Sequence, residues 1–299
     1  MSNRLRPLRA VVIAASFLAL GPPGSAAAQS ARFGQSYELD GIRIDVINRW
    51  EGARSEVVVA TRDARVTIHR GAPVFSYAAT GPGGILVALV GGERGVQIGF
   101  VPVRDGRPSQ PAALQRVPRP NPNGAPVGAA IAARPDGFAV FWQEANATNP
   151  NTPYETYLAR TRPDGTLLGE SVAVPAPWPL ADVAWLEDEG RYFFLLFYGT
   201  EQSTMLCGVH VNDGALNPAE HPWWASRGGA IDEAHLARRG GRVVAIYRDG
   251  DRLLESDVTE GSWGRAPGEP RSHGAITRSQ SIVIRRVRDG VEARGAALY

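Results

Sequence analysis

The chain has no lysine: all 32 of its lysine-or-arginine positions are arginine. That absence excludes a Schiff-base lysine and any phosphate-binding P-loop, which needs its lysine. A single cysteine, Cys207, rules out a disulfide within the chain. Its setting in "STMLCGVHV" reads as an apolar strand, so an inert buried thiol is expected. No apolar run reaches the ~20 residues that a membrane-spanning helix requires. No stretch carries the 3.6-residue apolar period of an amphipathic helix. The five histidines, His69, His210, His221, His235 and His273, lack metal-ligand spacing, and no D-x-D-x-D-G calcium loop occurs. No metal and no cofactor is therefore expected.

What is present begins with a leader. Arg4, Arg6 and Arg9 precede the apolar run Ala10 to Leu20, and "SAAAQ" follows with small residues. This is the pattern of a secretory signal over residues 1–28, cleaved after Ala28, with one domain over 29–299. Without the leader's three arginines the formal charge moves from +2 to −1. A near-neutral chain argues against a nucleic-acid partner. The expected location is periplasmic or extracellular, with no transmembrane segment in the mature chain, which is expected to be a monomer.

The rest of the chain repeats itself. "RPDGFAVFWQE", "EDEGRYFFLLFYG" and "RRGGRVVAIYRDG" each run a tight turn into a dense apolar segment. The turn glycines Gly84, Gly137, Gly190 and Gly241 recur at intervals of 53, 53 and 51 residues. Periods of this size mark repeat architectures, propeller blades among them. Within one unit, "APVGAAIAA", "FAVFWQE", "YETYLARTR" and "TLLGESVAV" read as four short strands joined by turns. In "FAVFW" both faces are apolar, as expected for a strand covered on both sides. The pattern predicts an all-β fold: a single β-propeller of about six four-stranded blades. The units begin near Gln35, Val74, Ala125, Pro179, Gly229 and Gly274, and a strand around Phe33 to Leu39 is expected to close the ring. A β-sandwich or open array is the competing arrangement.

"DGFAVFWQE…YETYLARTRPDGTLLGE" resembles the repeats of secreted bacterial β-propellers. "GGRVVAIYRDGDRLLESDVTEGSWG" is similar to units of the sialidase-like and fucose-lectin-like propellers. The resemblance covers most of residues 75 to 265 and implies fold more than activity. Sialidases carry Asp boxes of the form S-x-D-x-G-x-T-W. None is intact here, since Asp257, Gly261 and Trp263 approach the pattern with the wrong spacing.

Other motifs fade on inspection. "DEAH" (Asp232 to His235) matches a helicase box in letters alone, and reads instead as a first strand with Ala234 inward. "GESVA" (Gly169 to Ala173) lacks the last glycine of a nucleophile elbow. The acidic run Glu187, Asp188 and Glu189 reads as a solvated turn. Topology is the better guide. Propeller ligands meet the face bearing the second-to-third-strand turns and the links between blades. That face would carry Glu144, Tyr154, Trp178, Trp223, Trp224, Arg119, Arg227, Arg271 and His273, and aromatics beside arginines and carboxylates suit sugar rings or a polar protein surface. Three functions follow as expectations. The first is a non-enzymatic binding module for a protein or carbohydrate partner. The second is a divergent glycoside hydrolase or lyase with two acids about 5 to 10 Å apart in the central funnel. The third is a scaffold in an envelope complex.

Overall fold

The computed structural model describes residues 30–91, 95–120, 124–145, 154–176, 178–200, 203–213, 218–224, 231–239, 242–258, 269–277, 280–287 and 290–296. The expected leader over 1–28, its cleavage point at Ala28, and Arg227 lie outside these residues. Of most of the insertion after Glu144, and of the side chains of Trp223 and Trp224, nothing is described.

Among the described residues, apolar segments bounded by turns become five sheets, antiparallel but for one parallel pairing in the first. The first comprises β1 (Ser30–Leu39), β2 (Ile42–Glu51), β3 (Arg54–Ala60) and β4 (Arg65–Gly71). In the second, β5 (Phe75–Gly81), β6 (Gly84–Val90) and β7 (Val96–Arg104) are followed by the two-residue strands β8 (Arg107–Pro108) and β9 (Gln115–Arg116), both paired to β7. The third holds β10 (Ala125–Arg134), β11 (Gly137–Ala145), β12 (Tyr154–Thr161) and β13 (Leu167–Val174). The fourth holds β14 (Leu180–Leu186), β15 (Arg191–Thr200), β16 (Ser203–Asn212) and β17 (Pro218–Trp224). The fifth holds β18 (Ile231–Arg239), β19 (Arg242–Asp249), β20 (Arg252–Asp257) and β21 (Arg271–Ala275). Among the described residues the one helical element is a 3-10 turn at Glu187–Glu189, exposed between β14 and β15.

The molecule is thus an all-β propeller, with five blades where about six were expected. The difference lies at the C-terminus. Among the described residues, the segment after Gly274 supplies the two strands β22 (Ser281–Val287) and β23 (Gly290–Ala296). Two strands do not make a blade of their own. The hairpin extends the first sheet instead, with β22 pairing in parallel to β1 at Ser36 and Val283. Arg271–Ala275 just upstream is the outer strand of the fifth blade.

The doubly apolar strands sit between neighbouring sheets. Phe138, Val140 and Trp142 of β11 pack with Leu86 and Ala88 of the second sheet. Ala139 and Phe141, on its other face, pack with Tyr192 and Phe194 of the fourth. Phe193 and Leu195 then meet Val243 and Ala245 of the fifth. Phe141 stands edge-on to Tyr192 and Phe194, with centroids 5.0 and 4.8 Å away. Each fully buried aromatic contributes about 1.5–3 kcal/mol by transfer alone.

The first strands of consecutive sheets adjoin one another, β1 with β5, β5 with β10, β10 with β14 and β14 with β18, and β18 meets β23 of the hairpin. Strands that splay about an axis cannot pair edge to edge, which leaves inner amides seeking acceptors. Side chains supply them. Backbone amides also act on phenol oxygens of the preceding sheet: that of Ala78 pulls Tyr37 down and that of Ala129 pulls Tyr77 down, against the larger effect of burial. The Leu180 amide donates to Gln143 Oε1 at 2.8 Å, the Leu236 amide to Asp182 Oδ2 at 2.8 Å, and the Ile282 amide to Glu233 Oε1 at 3.0 Å. In each of these bonds the amide of the later segment donates back to a side chain of the sheet before it.

Candidate functional site

Three of the inner strands carry an irregularity at the same place. Pairing with the second strand shifts between Pro126 and Gly128 in β10, between Leu180 and Asp182 in β14, and between Ile231 and Glu233 in β18. A bulge adds one residue and re-aims the side chain that follows. The three residues so placed are Gly128, Asp182 and Glu233. One has no side chain and the other two are carboxylates, close to where the links deliver the inner strands.

Asp182 and Glu233 flank a single imidazole. His235 lies two residues beyond Glu233, on the same face of β18. Its Nε2 is 3.2 Å from Glu233 Oε1 and its Nδ1 is 3.9 Å from Asp182 Oδ2. Asp182 also accepts from the Val183 amide at 2.7 Å. Arg248 lies 3.3 Å from Glu233 Oε2, donates to Asp232 at 2.6 Å, and donates to the Thr277 and Gln280 carbonyls. All three side chains of the cluster are partly exposed: 24% for Asp182, 16% for Glu233 and 17% for His235. Tyr37 and Tyr77, on β1 and β5, are both half-buried and pack against the cores between their sheets and the next.

The electrostatics separate the two acids. Burial raises the Asp182 carboxyl above its ordinary range, against the opposing pull of His235 and the Leu236 and Val183 amides. Burial also acts to raise Glu233. There the hydrogen bond and charge of His235, the Ile282 amide and the Arg248 charge outweigh it, and Glu233 lies below its usual range. For His235, burial favours the neutral ring, but the Glu233 hydrogen bond and the charges of Glu233 and Asp182 raise it above its ordinary value. Tyr37 is held well above the phenol range by burial first and by the Asp182 charge second. One carboxyl is thus biased to hold a proton and its neighbour to stay ionised.

The residues expected on the link face are placed differently. Glu144 is fully buried and pairs with Arg119, Nε to Oε1 at 2.6 Å, with Trp142 Nε1 at 3.3 Å from the same oxygen. Arg119 also donates to the Gly124 carbonyl. Glu144 Oε2 is buried without a hydrogen-bond partner. A Cβ on Gly124 would lie 2.1 Å from that oxygen, so a larger residue there would push the carboxylate aside. The pair fastens the link before β10 to the top of β11. Tyr154 is buried. Trp178 is half-buried, and its carbonyl accepts from Gln143 Nε2 at 2.7 Å. Trp223 and Trp224 belong to the outer strand β17, paired with Gly208 and Cys207, rather than to a link. Arg271 is exposed on β21. His273 sits 2.8 Å from Glu255, which also pairs with Arg239 at 2.9 Å. Of the nine residues, the structure brings together Glu144 and Arg119.

The expectations for Cys207 and Ala234 are met. Cys207 is fully buried in β16 and its thiol is pushed up to about 12 by burial. Ala234 is buried on β18, and "GESVA" lies within β13. Among the described residues, no group of three or more histidine, cysteine, aspartate or glutamate side chains could hold a metal ion, and no helix is long and apolar enough to cross a membrane. The axial acids have a trace in the sequence. "LADVAWL" and "IDEAHLARR" each place an acid early in a first strand, where "APVGAAIAA" has Gly128.

No protein-family model matches the chain, and no curated protein matches it. Solved structures do. An α-L-arabinofuranosidase from Clostridium thermocellum ATCC 27405 has a TM-score of 0.46 at 9% identity, covering 79% of this chain and 94% of that one. The NanB sialidase from Streptococcus pneumoniae has a TM-score of 0.41 at 7% identity, covering 74% of this chain and 39% of that one. An endo-arabinase from Bacteroides thetaiotaomicron VPI-5482 has a TM-score of 0.51 at 10% identity, covering 79% of this chain and 97% of that one. At that identity its likeness to this chain is one of architecture alone, and the architecture is the β-propeller.

Proposed function

We propose that the chain is an exported propeller that binds a hydroxyl-rich ligand, an envelope glycan, at the axial cluster of Asp182, Glu233 and His235. The observation that carries this reading is the repeated bulge, which places Asp182 and Glu233 on either side of His235, with their charges reaching Tyr37. Carboxylates accept from vicinal hydroxyls and aromatic rings lie against sugar faces. Export rests on the leader over residues 1–28, and in this reading β1 and β22 close the ring between the two ends of the chain. A glycan is favoured over a protein partner because the link-face residues Glu144, Arg119 and Tyr154 are turned inward on their own blade.

A second reading, a divergent glycoside hydrolase, is favoured by one observation: Asp182 is raised and Glu233 lowered on opposite sides of His235. Such a split is what an acid–base pair needs. Against it, both Asp182 oxygens accept backbone amides, so the cluster is better suited to holding a ligand than to turning one over.

The test is a glycan array probed with residues 29–299, followed by assay of released reducing ends on any sugar bound. Binding without release, weakened about tenfold or more in Asp182→Asn and Glu233→Gln, supports the binding module. Release that is lost in both variants supports the hydrolase. A silent array with no release removes both.

A further inference from the structure

The outer strand of the second sheet is broken. Its counterparts β4, β13, β17 and β21 run for 7, 8, 7 and 5 residues, whereas β8 and β9 hold 2 residues each. Pro108 and Pro111 have no amide to give to a ladder, so the chain between β8 and β9 leaves the edge of β7. It arches over Gly99, where Leu114, Pro111 and the Ala113 carbonyl fill the space that a Cβ would take. The Ser109 amide holds one foot of the arch to the Pro102 carbonyl at 2.9 Å, and the Val117 amide holds the other to Val96 at 3.0 Å.

A cleft of ≈ 610 Å³ opens between this arch, the end of β7 and the β12–β13 turn of the third sheet. Small-molecule sites span about 300–1,000 Å³. Apolar surface stays open in it: Phe100 and Pro102 are half-buried, and Ala112 and Ala113 are exposed. Its walls are fixed by hydrogen bonds. Gln115 donates to the Gly165 carbonyl at 3.0 Å and accepts from the Leu167 amide at 3.2 Å, tying β9 to the turn. The Arg162 amide closes the turn on the Thr166 carbonyl at 2.8 Å, and the Val103 amide reaches the Gly83 carbonyl at 2.9 Å on the other side. A preformed cleft spares a ligand the cost of ordering it. Among the described residues, one cation and one acid line it, Arg104 and Asp164, both exposed. Arg104 makes no hydrogen bond or ion pair with any described residue, and Asp164 accepts from the Thr166 amide at 2.9 Å. That bond, before any other cause, holds the Asp164 carboxyl below its ordinary range, so it is ionised at neutral pH. The two do not pair with each other, which leaves each charge for a ligand.

We propose that this rim cleft binds a small apolar zwitterion, a free α-amino acid or dipeptide with a large apolar side chain. The side chain lies on Phe100, Pro102, Ala112 and Ala113, the carboxylate meets Arg104 and the ammonium meets Asp164. A ligand with one charge alone would leave one of the two groups without a counterpart. The site is separate from the axial cluster and independent of the glycan reading.

The probes are L-phenylalanine and leucyl-phenylalanine, titrated calorimetrically into the folded protein. The expected result is saturable binding of one equivalent of at least one of them. The amidated and the N-acetylated forms of that probe, each lacking one charge, are expected to bind about fivefold or more weakly. Arg104→Gln erases the discrimination against the amide and keeps that against the acetyl form. Asp164→Asn does the reverse, and its side-chain oxygen still accepts the Thr166 amide, so the turn survives. Ala112→Phe, built on the exposed arch, fills the cleft and abolishes binding. No saturable binding of either probe overturns the proposal. So does a preference for both free ends that persists in the two charge variants, or binding that is unchanged in Ala112→Phe.

Discussion

Arg119 and Glu144 illustrate how far side-chain roles depend on the third dimension. Their places in a link and at a strand end suggested a surface for ligands, yet they meet each other in a buried pair. Nothing in a spacing of 25 residues encodes that encounter. Removing one partner from a buried pair strands the other charge, so Arg119→Ala is expected to cost about 3–5 kcal/mol. Replacing both with leucine is expected to recover most of that loss, and the urea midpoints of the two variants check it. The axial acids show the converse. Asp182 and Glu233 stood in plain view within apolar strands, but the bulges that aim them are invisible to a period-two reading. His235 makes their charge state measurable. Its raised pKa contributes stability fully present below the unfolded value of 6.5 and lost as pH rises through the folded one. Glu233, held low, contributes above its unfolded value of 4.5 and loses that contribution on acidification. Asp182, held high, has the opposite sign and costs stability once ionised. The thermal midpoint Tm is therefore expected to fall as pH rises from about 6 to about 8.5, and His235→Gln is expected to flatten that slope. A variant with the same slope as the parent would assign the pH dependence elsewhere.

At the scale of strands and turns the sequence was read well, because turn chemistry is local. Asp40–Gly41 and Asp105–Gly106 both place two successive residues at positive φ, the tight hairpin geometry that Asp-Gly favours. The expected unit starts near Val74, Ala125, Pro179 and Gly229 fall within two residues of β5, β10, β14 and β18. The recurrent glycines, read as one device, turn out to serve different needs. Gly190 ends the 3-10 turn in the left-handed region with open space around it. Gly137 has no room: a Cβ there would lie 1.9 Å from the Thr161 carbonyl oxygen of the adjacent strand. Gly190→Ala is expected to cost about 1–2 kcal/mol from backbone conformation alone. Gly137→Ala is expected to cost more, since β11 must part from β12. Denaturant midpoints that place Gly190→Ala as the more damaging change would overturn this ordering.

For the molecule as a whole, the sequence period counted one blade too many. It registers turns and apolar runs, and the last unit has both, but it does not register that the described residues after Ala275 pair as a two-stranded hairpin on the first sheet. What joins the five sheets is a series of shared cores, each with residues from two neighbours. Among the described residues, the small cluster of Ile47, Val58 and Ala60 is the one that a single sheet keeps to itself, so the five sheets are expected to unfold in one transition. Ile282→Ala, at the fully buried foot of the hairpin, is expected to lower the stability by about 2–5 kcal/mol and to shift near- and far-UV melting curves together. Two separate transitions would mean that the sheets hold themselves. The pairing of β22 with β1 has a consequence for the path of the chain. The strands run parallel, and Ala296 of β23 pairs back to Ser281, so the last described strand ends beside the end of the sheet where β1 begins. The order in which the blades are written is thus a convention of the gene rather than of the architecture. A circular permutant that tethers Ala296 to Ser30 and opens at the Gly250–Asp251 turn would present the same five sheets from a new starting point.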